Sequence, residues 1–141
     1  MIYTKKLLEG ISMKVLLSIK PKYVEEINKG SKLYEFRKVI FNNDIKIIYV
    51  YETAPTKKIV GKIIIDDIIE DSPLNLWQKF EDKSGIAKQE FFEYFKDRNK
   101  GYAIKIKKYV NYKKPIDPYK SKPNFMPPQS YLYVEDIKSL L

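Results

Sequence analysis

Charged residues with the spacing of a small recognition or catalytic site lie between Gly30 and Lys38. Lys32, Glu35 and Arg37 bring two cations and one carboxylate close together along the chain. In a closed cleft such a lysine and carboxylate can exchange a proton with a substrate, and the same groups can bind a phosphate or a nucleobase. On a solvated face they would form only an ion pair that contributes little to stability. The exposed pair is the commoner outcome of this pattern, so both interpretations stay open.

Two residue types that are absent from the chain narrow the chemistry that this cluster could perform. The sequence contains no cysteine and no histidine. It therefore has no disulfide, no cysteine nucleophile and no Ser-His-Asp triad, and zinc lacks its usual ligands. Any catalysis must use lysine, carboxylate, tyrosine, serine or threonine side chains. We expect no metal and no cofactor.

The charge balance favours a polyanionic partner. The chain has 27 lysines and arginines against 18 acidic residues, a net charge of +9, together with 12 tyrosines and 7 phenylalanines. Lysines bind phosphates and aromatic rings stack on bases, so this composition is typical of nucleic-acid-binding proteins. The alternative is an AT-biased genome, which enriches lysine, isoleucine, asparagine and tyrosine without any functional reason.

The length of 141 residues fits one domain with a buried core. We expect this domain to span residues 13–141, because Met13 opens a clear strand pattern. Residues 1–12 are expected to be a leader, disordered or forming one loose helical turn, and Met13 is an alternative start. No apolar run reaches the ~18–20 residues of a membrane span, and the first residues do not resemble a signal peptide. We therefore expect a cytoplasmic location and no membrane partner; the sequence does not indicate an oligomeric state.

A strand and a short helix are predicted to position the charged cluster. The apolar run of residues 14–19 indicates a buried strand, and Pro21 suits the first turn of a helix that continues to Lys29. Gly30 fits the left-handed position that follows a helix. The chain then continues as the strand of residues 32–37, which carries the cluster.

On this strand, successive side chains point to opposite faces. Tyr34 and Phe36 therefore share one face, which suits a hydrophobic core. Glu35 and Arg37 share the other face, and Lys32 stands at its entrance. The cluster is functional only if the rest of the chain builds a cleft around this second face.

The remaining elements predict a mostly β fold. Further strands are expected at residues 45–51, 59–69, 101–109 and 131–134, further helices at 73–80 and 87–97, and a proline-rich loop at 115–128. The order β-α-β-β-β-α-α-β-loop-β leaves too little chain for repeated parallel crossovers. We therefore predict an α+β protein that is mostly β, a small mixed or antiparallel barrel with short helices covering its rim.

Two charged surfaces lie on the later strands. Four carboxylates end the strand of residues 59–69, namely Asp66, Asp67, Glu70 and Asp71. They could hold a divalent cation, although a solvated strand end is the commoner outcome. Lys105 and Lys107 give the strand of residues 101–109 a basic face, which suits nucleic acid or the protection of an exposed sheet edge.

Six short segments occur in order along the chain: Leu17-Ser18-Ile19-Lys20-Pro21, Gly30-x-Lys32-x-x-Glu35-x-Arg37, Tyr51-x-Thr53-x-Pro55, Ile59-Val60-Gly61, Gly101-Tyr102-Ala103-Ile104 and Pro127-Pro128-Gln129-Ser130-Tyr131. Together they resemble the ASCH domain, a branch of the PUA-like β-barrels, over residues 13–134. They are similar to small prokaryotic and phage ASCH proteins often described as predicted transcriptional regulators. The resemblance implies a PUA-like fold that binds RNA in a cleft beside the Lys32 motif.

The first functional hypothesis is therefore the binding of nucleic acid, with RNA as the expected partner and a regulatory role. Phosphates would be met by cations at the mouth of the cleft, and a base by its polar and aromatic side chains. The predicted binding residues are Lys20, Lys32, Glu35, Arg37, Lys38, Tyr51, Thr53, Lys105, Lys107, Gln129 and Ser130. Of these, Glu35 would orient Arg37 or accept a hydrogen bond from a base amino group.

The second hypothesis is a hydrolase that acts on a modified nucleoside or on RNA. One branch that resembles this fold hydrolyses the acetyl amide of a modified cytidine with a lysine, a threonine and a glutamate. Lys32 matches the lysine, but Glu35 stands where the threonine would be, and Glu81 is the nearest candidate for the glutamate. Lys32 and Glu35 would then be the catalytic pair. A third hypothesis is a regulatory module whose cleft holds a free nucleoside.

Overall fold

Six strands and four helices follow one another in the part of the chain that the structure, a computed structural model, describes, residues 13–140. They are β1 (Lys14–Ile19), α1 (Pro21–Lys29), β2 (Tyr34–Arg37), β3 (Ile47–Glu52), β4 (Lys58–Asp71), α2 (Pro73–Phe80), α3 (Lys88–Tyr94), β5 (Gly101–Ile116), α4 (Pro118–Ser121) and β6 (Leu132–Val134). The predicted order of strands and helices is confirmed. The expected leader of residues 1–12 lies outside the described residues. In residues 13–140 no helix is long and apolar enough to cross a membrane.

The predicted barrel is wrong, because the sheet remains open. Its strand order is β2-β5-β4-β3-β1-β6, with β1 and β3 parallel and the other neighbours antiparallel. In residues 13–140, no ladder joins the edge strands β2 and β6, which have only four and three residues. The side chain of Arg37 bridges this gap instead, donating to the carbonyl oxygens of Ser18 and Ser130.

Both faces of the sheet are covered, which explains the two-sided hydrophobicity of β3. Ile48 and Val50 belong to one buried cluster, to which α1 contributes Val24, whereas Tyr49 and Tyr51 belong to another. Since neighbouring strand residues point to opposite faces, the two clusters lie on opposite sides of the sheet. The strand is therefore central rather than half-exposed.

A third cluster attaches α2 and α3 to the sheet beside β2. It joins Phe36, Leu76, Trp77, Phe91, Phe95 and Ala103. The ring of Phe36 meets that of Phe91 edge to face at 5.0 Å, and Tyr34 stacks on Phe80 at 4.2 Å. The predicted core-facing side of β2 is confirmed, and this packing leaves Glu35 and Arg37 on the opposite face.

The proline-rich stretch is more regular than predicted. Strand β5 continues through Pro115 to Ile116, and the short helix α4 follows at Pro118–Ser121. The long β4 supports this extension, since Ile59 pairs with Ile116 and Asp71 with Gly101. Strand β2 pairs with β5 only as far as Lys105, so the other edge of the extension has no ladder partner in the described residues. A proline, which lacks an N–H group, is tolerated at such an edge.

Candidate functional site

A cleft of about 890 Å³ opens at the gap between the edge strands, where β2 faces the end of β1 and the segment that precedes β6. Its walls are the end of β1, the first turn of α1, strand β2, helix α3 and the segment that precedes β6. The face of β2 that carries Glu35 and Arg37 looks into this space, with Lys32 beside them. The charged motif of Lys32, Glu35 and Arg37 therefore lies between the two edge strands, which no ladder joins in the described residues.

Lys32 reaches the bottom of the cleft because helix α1 ends directly before it. Gly30 adopts a φ of 85°, and its N–H group bonds the carbonyl of Ile27 at 3.1 Å. The Lys32 side chain is only 2% exposed. Its Nζ donates to the carbonyl oxygen of Ser84 at 2.6 Å and lies 3.9 Å from Oε1 of Glu35. Burial lowers the pKa of the Lys32 amine, and the negative charge of Glu35 opposes that shift.

Glu35 is the shared partner of both cations. It is 6% exposed, and its Oε2 accepts from Arg37 at 3.2 Å. Arg37 also donates to Ser18 O at 3.3 Å and to Ser130 O at 3.0 Å. An exposed ion pair is therefore the wrong interpretation of this motif. The donors of Arg37 hold the walls of the cleft together.

The turn of Ser84 and Gly85 completes the cluster, and the sequence interpretation missed it. Gly85 has a φ of 61°, and a Cβ atom there would lie 2.4 Å from the Cβ of Lys32. Only glycine lets this turn pack on the lysine stem. Glu81, the candidate for a distant catalytic glutamate, is exposed and contributes its carbonyl to Ser84 rather than a carboxylate to the cleft.

The cleft brings together most of the predicted binding residues. Those that line it are Lys20, Lys32, Glu35, Arg37, Lys38, Thr53, Gln129 and Ser130. Lys20 is exposed beside the first turn of α1, and the ammonium of Lys38 lies 4.6 Å from the centre of the Tyr94 ring. Three further predicted residues lie elsewhere.

Tyr51 is 2% exposed and belongs to the second buried cluster, where its hydroxyl lies 3.1 Å from that of Tyr119. It does not line the cleft, so the prediction that it contacts an extruded base there is wrong. Lys105 is exposed and pairs with Asp66 at 3.4 Å, and Lys107 is exposed on the same strand. Neither lysine lines the cleft. They belong to a separate surface.

Helices α1 and α3 add cleft residues that the sequence interpretation missed. The hydroxyl of Tyr23 donates to the carboxylate of Glu90, which Lys22 also binds at 2.7 Å. These two hydrogen bonds lower the pKa of Glu90, while burial raises that of the Tyr23 phenol. Tyr94 and Arg98 also line the cleft. The sequence did contain a signal for these residues: Glu90 and Tyr94 are four positions apart, a spacing that places both on one face of a helix.

The acidic strand end is neutralised by lysines. Asp66 pairs with Lys105, Asp71 lies 2.8 Å from Lys79, and Glu70 lies 4.0 Å from Lys100. Across residues 13–140, no three carboxylates come together in a way that could hold a metal ion. The alternative of a cation site at this strand end therefore receives no support from the geometry.

Comparison with known proteins identifies the family. The model of the family described as "Domain of unknown function (DUF365)" matches residues 14–123. The chain belongs to this family. The crystal structure of ASCH from Zymomonas mobilis superposes with a TM-score of 0.80 at 24% identity, covering 89% of this chain and 90% of that one. The predicted resemblance to the ASCH branch of the PUA-like folds is confirmed, with an open sheet in place of the barrel.

Two kinds of curated protein are similar in sequence. The ASCH domain-containing ribonuclease of Zymomonas mobilis is 25% identical over 126 residues, which cover 84% of this chain and 82% of that protein. The large ribosomal subunit protein uL22 of Ureaplasma parvum is 29% identical over 104 residues, or 73% of this chain. The match covers only 33% of that ribosomal protein, so the chain spans about a third of its length.

Proposed function

We propose that this protein binds RNA and holds one unpaired nucleotide in the cleft beside the Lys32 motif. The observation that carries the proposal is the cluster of Lys32, Glu35 and Arg37 at the bottom of a cleft of about 890 Å³. Ligand pockets commonly measure about 300–1,000 Å³ and contain a few well-placed polar groups. A single nucleotide suits such a volume.

Free cations at the rim support contact with phosphates. Lys20 and Lys38 line the cleft, and neither takes part in an ion pair within residues 13–140. Lys32 and Arg37, by contrast, already donate to carbonyl oxygens and to Glu35. The rim lysines therefore bind the backbone of the RNA, while the buried pair shapes the pocket for the base.

The bottom of the cleft offers contacts for a nucleobase. The Glu35 carboxylate can accept a hydrogen bond from an exocyclic amino group, and Tyr23 presents an aromatic ring near Lys32. Thr53, Gln129 and Ser130 add polar groups at the opposite wall. Unpaired bases in single strands are the usual targets of such pockets, because their edges and faces are free. The similarity to a protein named as an ASCH domain-containing ribonuclease favours RNA as the ligand.

Titration of a fluorescent single-stranded RNA at two salt concentrations tests the proposal. We expect salt-sensitive binding that Lys20→Glu weakens at least tenfold, since phosphate contacts make affinity depend on salt. Lys113→Glu makes the same charge change at an exposed position outside the cleft and should have a smaller effect. A matching DNA strand measures the preference for RNA. Absence of salt-sensitive RNA binding by the unmodified protein would contradict the proposal.

The position of the buried Lys32 amine at the bottom of the cleft, 3.9 Å from the Glu35 carboxylate, supports a second candidate function, cleavage of an RNA phosphodiester. In its unprotonated form, which burial favours, the amine can take the proton of the attacking ribose hydroxyl as the new bond to phosphorus forms and the bond to the leaving oxygen breaks. Glu35, 3.9 Å away, would then stabilise the ammonium that results.

Incubation with a labelled RNA oligonucleotide tests this second function. If the protein cleaves the RNA, Lys32→Met should abolish cleavage at RNA concentrations that saturate the folded variant. Cleavage that continues unchanged in a folded Lys32→Met variant would remove Lys32 from the reaction. Binding without any cleavage by the unmodified protein would leave binding as the function.

A further inference from the structure

The cations of the cleft divide into two groups according to what they already bind. Lys32 and Arg37 are bound to the Glu35 carboxylate, and both also donate to carbonyl oxygens. Besides Lys20 at the rim, Lys38 and Arg98 line the same cleft without an ion-pair partner among residues 13–140. Free cations in a lined cleft are the groups that an anionic ligand would meet first.

Lys38 and Arg98 line the cleft together with Tyr94, the last residue of α3. The ammonium of Lys38 lies 4.6 Å from the centre of the Tyr94 ring. The backbone N–H of Lys38 donates to the Tyr94 hydroxyl at 3.1 Å, which fixes the hydroxyl against β2. Arg98 follows in the turn after α3, where its own N–H bonds the carbonyl of Phe95 at 3.0 Å.

We propose that Lys38, Tyr94 and Arg98 form a phosphate subsite for the nucleotide that adjoins the one held beside Lys32 and Glu35. The inference rests on the proposed function and extends it, because it names the ligand as an oligoribonucleotide rather than a free nucleoside. An ammonium, a phenol and a guanidinium supply donors of three geometries to one anionic group.

The Tyr94 hydroxyl is available as a donor in this subsite. Its oxygen accepts from the Lys38 backbone, and its own proton has no acceptor in the described residues. Burial raises the pKa of Tyr94, while the charge of Arg37 and that of Arg98 oppose the shift. The phenol therefore keeps its proton at neutral pH and can donate it to a phosphate oxygen.

A carboxylate limits where the phosphate can lie. Glu93 lines the cleft on the same helix, one residue before Tyr94. Like charges repel, so the phosphate is expected to bind the cations Lys38 and Arg98 and to avoid the Glu93 carboxylate.

The experiment compares Lys38→Gln/Arg98→Gln with the matched pair Lys88→Gln/Lys96→Gln, using a six-nucleotide single-stranded RNA of mixed sequence. Lys88 and Lys96 are exposed on or beside the same helix and do not line the cleft, so the control removes the same charge. We expect the subsite pair to weaken binding roughly tenfold or more, since hydrogen bonds to charged groups are the strong ones. The slope of log affinity against log salt should fall by about 0.7, the value for one phosphate of a single strand. Tyr94→Phe should weaken binding less and leave the slope unchanged.

Equal effects of the two double variants would overturn the subsite while leaving RNA binding itself intact. If Lys20→Glu then still weakens binding at least tenfold, the proposed function survives without this subsite. Failure of the unmodified protein to bind the RNA would contradict both. Arg98→Lys keeps the charge of this position and serves as a further control. It should keep the salt slope of the unmodified protein but only part of its affinity, because an ammonium lacks the guanidinium fork.

Discussion

Two pairs of a lysine and a carboxylate on neighbouring elements differ in burial and not in chemistry. Lys32 and Glu35 are 3.9 Å apart, and their side chains are 2% and 8% exposed. Lys105 and Asp66 are closer, at 3.4 Å, yet their side chains are 47% and 46% exposed. We therefore expect the longer contact to affect the stability of the protein more, because water screens the charges of the shorter, exposed pair.

Burial changes what each pair does for the protein. A charge without water needs fixed partners, and the Lys32 amine has them in the Ser84 carbonyl and in Glu35. The Lys105 amine can replace its partner with water at little cost. A fixed polar group of this kind suits recognition in a pocket, while a solvated one contributes to long-range attraction.

The largest expected difference follows from removing each carboxylate charge. Glu35→Gln should lower the free energy of unfolding by about 3 kcal/mol, because a buried ammonium and Arg37 lose their anion. Asp66→Asn should lower it by less than about 1 kcal/mol. Urea denaturation of both variants measures the two values. Similar losses in the two variants would mean that burial does not decide the strength of these pairs.

The two glycines with positive φ near Lys32 are expected to show a smaller difference in the free energy of unfolding when each is replaced by alanine. Gly30→Ala should cost about 1 kcal/mol, the price of the left-handed conformation alone, because a Cβ there meets no atom within 4 Å. Gly85→Ala should cost about 2 kcal/mol more, since its Cβ would lie 2.4 Å from the Cβ of Lys32. Denaturant unfolding of both variants gives the comparison. Equal losses would show that the turn does not hold the lysine stem.

The pH dependence of stability gives a finer test of the buried amine. Because burial lowers the pKa of Lys32 below its usual 10.5, the native state releases this proton at a lower pH than the unfolded chain does. Between these two pKa values the unfolded chain binds more protons, so stability rises with pH. Relative to Lys32→Met, the unmodified protein should therefore gain stability as pH approaches 10.5. Lys105→Met corrects for the loss of one positive charge, and a flat difference curve would contradict the burial of a charged amine.

The local sequence pattern was enough to predict the strands and the helix that carry the site. The apolar run of β1, Pro21 at the start of α1 and Gly30 after it are all where the sequence predicts them. The alternation along β2 also separates Phe36 from Glu35 correctly. These features depend on residues within a few positions of one another, which is the range that periodicity reports.

The rest depends on contacts between distant parts of the chain. Lys32 is buried by Ser84 and Gly85, and no local pattern relates positions separated by 52 residues. Tyr51 could not be assigned to a face, because β3 is apolar on both sides and alternation carries no information there. The prediction of a closed barrel failed for a similar reason, since closure depends on whether two short edge strands meet.

The smallest expected effect concerns RNA affinity and the exposed strand. Lys105→Gln/Lys107→Gln should weaken RNA binding less than about threefold and leave the salt slope unchanged, because neither side chain lines the cleft. Lys20→Gln/Lys38→Gln should weaken it by about tenfold or more and lower the slope by about 1.4, the value for two phosphates of a single strand. Anisotropy titrations at several salt concentrations measure both quantities. If the Lys105/Lys107 variant weakened RNA binding more than the Lys20/Lys38 variant did, the RNA would be assigned to the surface of β5. The buried pair would then serve the stability of the fold, and its carboxylate would have no base to contact.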